Sequence, residues 1–217
     1  MKFIYLATML LVVFCGSTAA PARSQNQDAP RNLSYTMAEY NALARAASEK
    51  SQAKKIALLD DFVFQYPNSS LLIYVYPLYY NAYAHLRNFP KVLEYADKLT
   101  ALRDKAPRIA QYAALCAWTM AYGKMNSLDL ALAVKARERS LAGVKILASL
   151  EPARGMDEKT LETEKNRGAM HLYLTAAAAA LVLKDFASAA ESIKAMQDLD
   201  SYDPMPFVEP KPHVTGF

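Results

Sequence analysis

Three histidines (His85, His171, His213) and two cysteines (Cys15, Cys116) are the only side chains here that titrate near neutrality or act as soft nucleophiles; 21 acidic residues surround them in the sequence. Their spacing matches no familiar chemistry. The chain has no HExxH, no GxSxG, no CxxC and no glycine-rich phosphate loop. Glu164 and His171 are seven residues apart, two turns along one helix, which is the spacing of an acid–base or metal-binding pair. No third ligand follows them, so an ordinary polar contact is the simpler reading of His171. Asp60 and Asp61 are adjacent and point about 100° apart on a helix, which spoils them as a shared carboxylate site. No metal or other cofactor is expected.

The elements that must position these groups are helices. Glycine is scarce, at 6 residues in 217, while alanine and leucine recur throughout. Thr36 with Glu39 three residues on reads as a capping box, opening a helix through Ala47. Further helices are expected over 52–65, 70–86, 90–102, 108–122, from Asn126 or Ser127 to Leu150, 157–183 and 186–199. Pro67, Pro107 and Pro152 punctuate them, Gly123 suits a C-terminal cap, and Pro90 suits a first turn. Pro77 either kinks the third helix or moves its start to about Tyr76. Tyr76, Tyr79, Tyr80 and Tyr83 in that helix read as core packing. Cys116, in the apolar stretch Ala113–Trp118, reads as a buried, inert thiol.

Composition and charge bound the function. Hydrophobic residues are 53% and charged residues 21%, enough to build a packed core. The formal charge is +4, or +3 without residues 1–22, with both signs interspersed. The densest basic run, Lys135, Arg137 and Arg139, is broken by Glu138 and reads as a solvated helix face. Nucleic acid is not expected as a partner. Residues 1–22 read as a signal peptide: Lys2, an apolar stretch from Phe3 to Cys15, then small residues and Ala20-Pro21-Ala22. Cleavage is expected after Ala22 or Ser24, giving a periplasmic or secreted chain without a transmembrane segment. The alternative, an uncleaved anchor, meets the difficulty that the apolar stretch falls short of the roughly 20 residues of a span. Cys15 follows Phe14, where a lipid-modified cysteine would follow a small residue. Residues 23–35 read as a flexible linker, 36–200 as the folded domain, and 201–217, with four prolines, as a disordered tail.

Alternating helices joined by short turns invite a test for repeats. Ala57-Leu58-Leu59 through Phe62 to Tyr66-Pro67 resembles the second helix of a tetratricopeptide repeat. Tyr80-Asn81-Ala82-Tyr83, then Arg87-Asn88-Phe89 with Val92, Ala96 and Leu99, resembles the middle of the next unit. Ala177 and Ala180, then Lys184-Asp185-Phe186 with Ala189, Ile193 and Met196, resembles a third. Tyr80 departs from the small residue of the pattern. Phe89 and Phe186 are 97 residues apart, close to three units of about 34. Residues 108–167 match poorly, with longer helices. The likeness to bacterial envelope repeat proteins implies an all-α fold of antiparallel hairpins, stacked as a short right-handed solenoid.

In that family the first helix of each pair lines a concave groove. By that resemblance Tyr40, Tyr74, Asn81, His85, His171, Leu174, Ala178 and Leu181 become partner-binding candidates. The expected function is an exported module that binds a peptide or protein without turnover. The alternative is an exported hydrolase or lyase acting on an envelope polymer, with Glu164 or His171 indispensable. In a third reading the apolar run Thr175–Leu183 is a subunit contact.

Overall fold

The computed structural model describes residues 34–152 and 155–199. The expected signal peptide, most of the expected linker, Cys15, His213 and residues 201–217 lie outside the described residues. Among the described residues there are eight α-helices and no strand: α1 Met37–Ser48, α2 Gln52–Gln65, α3 Leu72–His85, α4 Phe89–Thr100, α5 Arg108–Met125, α6 Leu130–Ala148, α7 Glu158–Val182 and α8 Phe186–Gln197, with one 3-10 turn at Arg103–Lys105. Each helix packs chiefly on its neighbours in sequence, and α5 also touches α3 and α7. Short turns make successive helices antiparallel hairpins.

Side-chain caps explain most of the starts. Thr36 accepts from Glu39 N at 3.2 Å and Glu39 accepts from Thr36 N at 2.5 Å, the expected capping box. Ser51, Asn88, Asp129, Asp157 and Asp185 open α2, α4, α6, α7 and α8 as simple N-caps, each side chain accepting from a backbone N–H in the first turn. Two expected boundaries are corrected. Gly123 does not end α5; the helix continues to Met125, and Asn126 takes the left-handed conformation at φ 46°. Asn126 therefore closes α5, and Asp129, accepting from Leu132 N at 2.7 Å, opens α6. The third helix starts at Leu72, ahead of Pro77, so this buried proline stands inside it and leaves the Ile73 carbonyl without its usual N–H partner.

The tyrosines of α3 form the core of the first half. Tyr79 and Tyr95 stack at 4.0 Å, Tyr83 stacks on both, and Tyr76 tilts against Tyr95. The Tyr79 hydroxyl donates to Asp60 of α2 at 2.6 Å, and the Lys98 ammonium sits 4.3 Å over the Tyr95 ring. In the second half small residues let helices approach closely: Ala133, Ala136 and Gly143 of α6, and Ala176, Ala179 and Ala180 of α7, are all buried. A Cβ on Gly143 would stand 3.0 Å from the Leu172 side chain. The apolar run in α7 is thus mainly core. A separate small cluster of Leu147, Ala169 and Leu172 lies toward the other end of α6 and α7.

Candidate partner-binding face

Tyr40 and Tyr74 come from different helices and meet around a residue that the sequence reading assigned to a linker. Tyr35 stacks on Tyr40, ring centroids 6.3 Å apart. Tyr74 lies near enough to Tyr35 that its phenol is raised by burial first and by that neighbour second. The three rings remain 46%, 50% and 39% exposed, so they share a solvent-facing aromatic surface. The segment carrying Tyr35 is tied to the start of α3 by the Ser70 hydroxyl, which donates to the Ser34 carbonyl at 2.9 Å. Tyr35 and Tyr40 flank the Thr36 cap at the positions of a hydrophobic staple, the local signal that could have revealed Tyr35.

Asn81 and His85 follow Tyr74 along α3, two and three turns on. His85 is exposed and Asn81 half-buried. They extend the Tyr74 surface by about 10 Å and more along the helix. On α7, Leu174, Ala178 and Leu181 are exposed in one row. The row is separated from the tyrosines by α5, which packs on both α3 and α7.

His171 makes an ordinary polar contact, the simpler of its two sequence readings. It is half-buried, and its Nε2 is 3.2 Å from the Thr119 hydroxyl of α5. That hydroxyl donates to the Cys116 carbonyl at 3.0 Å, which leaves His171 to donate through Nε2–H. Burial lowers the imidazole below its ordinary range, so the ring is held neutral as a strut between α5 and α7. Glu164 is ion-paired with Arg167 at 2.7 Å. Cys116 of α5 has its thiol pushed up to about 11 by burial, against the opposing Tyr112 hydroxyl, the profile of an unreactive thiol. Among the described residues no three His, Cys, Asp or Glu side chains gather as a metal site would need, and no helix is long and apolar enough to cross a membrane.

The turns on either side of these helices share one geometry. Leu86-Arg87-Asn88-Phe89 joins α3 to α4, and Leu183-Lys184-Asp185-Phe186 joins α7 to α8. In both, the second residue is left-handed (φ 56° and 58°) and the third donates its N–H five residues back, at 2.9 Å in each case. The aromatics that follow differ: Phe89 packs on the core, whereas Phe186 is 68% exposed. The second turn is held instead by Arg137 of α6, which donates to Asp185 at 2.6 Å.

No protein-family model, no curated protein and no solved structure matches the chain.

Proposed function

We propose that this chain is an exported, tetratricopeptide-like module that binds a peptide segment of a protein partner in a concave groove and does not transform it. The observation that carries the reading is the exposed Tyr35–Tyr40–Tyr74 surface continued by Asn81 and His85. Tyrosine supplies a large, stiff contact area with a polar tip, so it binds at little cost in side-chain entropy. An amide such as Asn81 can donate to and accept from a peptide backbone at once. The exposed row Leu174, Ala178 and Leu181 offers apolar anchorage farther along the same groove. The repeated left-handed turn between α3–α4 and α7–α8 supports the repeat reading, as does the contact of α5 with both α3 and α7.

The test is affinity capture from an envelope extract, followed by titration of peptides from the captured protein. A triple variant, Tyr40→Ala, Tyr74→Ala and Asn81→Ala, is expected to keep native helicity by circular dichroism and to bind more than about tenfold more weakly. Equal affinity in a well-folded triple variant places the interface elsewhere.

A further inference from the structure

An open groove of about 450 Å³ lies between α6 and the first half of α7, and Leu199, where the described chain ends, already lines it. Its walls include Leu147 from α6 and Leu161, Ala169 and Tyr173 from α7. The groove arises from unequal helix lengths. With 25 residues α7 is about 37 Å long, whereas the 12 residues of α8 cover about 18 Å of it, beginning at the turn that joins them. The first half of α7 extends past the end of α8. The small cluster of Leu147, Ala169 and Leu172 is therefore flanked by this groove, whose lining also includes Glu158, Glu162, Lys165 and Asn166.

The sequence after Leu199 has the composition to fill that groove. Tyr202, Met205, Phe207 and Val208 follow within nine residues, and Pro204 and Pro206 oppose a helix and favour an extended run. Eight residues from Leu199 to Phe207 reach about 25 Å when extended, more than the roughly 19 Å of α7 left uncovered. Lys165 lines the groove and donates to the Ala148 carbonyl at 3.1 Å, which leaves further N–H groups for Asp203 or Glu209 on either side of Met205, Phe207 and Val208. We propose that the segment Tyr202–Val208 of the same chain docks in this groove, with Met205 and Phe207 against Leu147, Leu161 and Tyr173.

Amide hydrogen exchange of the full chain tests this, compared with the double variant Met205→Asp, Phe207→Asp. Amides of residues 158–169 are expected to exchange about tenfold faster in the variant, while those of α3 and α4 stay as they are and report that the fold survives. Equal exchange in both proteins overturns the proposal. So does protection that rises with protein concentration, because the occupant is then a second copy. A second reading uses the chain with Leu161→Cys and Phe207→Cys. An intramolecular disulfide in dilute solution is expected; a control pair of Leu128→Cys and Phe207→Cys forming one equally fast overturns docking. The groove lies apart from the tyrosine face, so either reading can fail without the other.

Discussion

Gly168 sits where the Tyr112 hydroxyl crosses α7, and a Cβ there would collide with that oxygen and press on Leu147. In a helix Gly→Ala gains up to about 1 kcal/mol from backbone entropy, but overpacking of this kind costs about 1–3 kcal/mol. Gly168→Ala is expected to destabilise the protein in urea unfolding, and to do so less in a Tyr112→Phe background, where the oxygen is gone. Additive effects in that cycle would show that the hydroxyl is not the obstacle. His171 gives a pH prediction. Its buried imidazole resists protonation, whereas the unfolded chain takes up that proton near pH 6.5. The unfolded state then binds more protons, so stability falls as pH drops below about 6.5 and levels off below the lower folded value. Melting temperatures between pH 7 and pH 5 should decline in the native protein and flatten in His171→Gln, which keeps a donor for Thr119. Glu39, Asp157 and Asp185, all lowered by hydrogen bonds in the fold, lose their contributions only at more acid pH, below their ordinary values of 4.5 and 3.8, so the two windows separate.

At the scale of elements, the two matched turns place an arginine and a lysine in the left-handed region, where a side chain strains the backbone and glycine does not. Arg87→Gly and Lys184→Gly should each stabilise by up to about 1 kcal/mol, read as a rise in melting temperature. Loss of stability in either would mean that the long side chain matters more than the backbone strain. The caps were legible because they are local: Thr36 with Glu39 needs no tertiary partner. The start of α6 was not legible at Asn126, because Asn serves as well to end a helix in the left-handed conformation as to begin one. For Pro77 the sequence left two readings open, and the structure takes the one in which the proline lies inside the helix. Its neighbours Val75, Tyr79 and Tyr80 are buried, and that packing carries the helix across a residue that local preference would put at its start.

Across the described residues, helices contact mainly their neighbours in sequence. The larger cluster runs from Ala46 to Ala179, and the smaller one rests on Leu147, Ala169 and Leu172. Native-state exchange is expected to show the α6–α7 end near Leu147 and Leu172 opening at lower free energy than α3 and α4. Uniform protection across both regions would mean that the two clusters unfold as one.

The sequence by itself determined that the chain is helical, where most helices begin and end, and that Tyr79 and Tyr80 of α3 are core. These follow from caps, prolines and periodicity, which act within a few residues. Tertiary structure alone decided which exposed groups meet. Tyr40 and Tyr74 are 34 residues apart and join through Tyr35. His171, read either as a groove residue or as an ordinary polar contact, finds its partner in Thr119, 52 residues away in sequence. Such pairings depend on how one helix is rotated against another, and that rotation is set by side-chain volumes summed over the whole interface, which no short stretch of sequence contains.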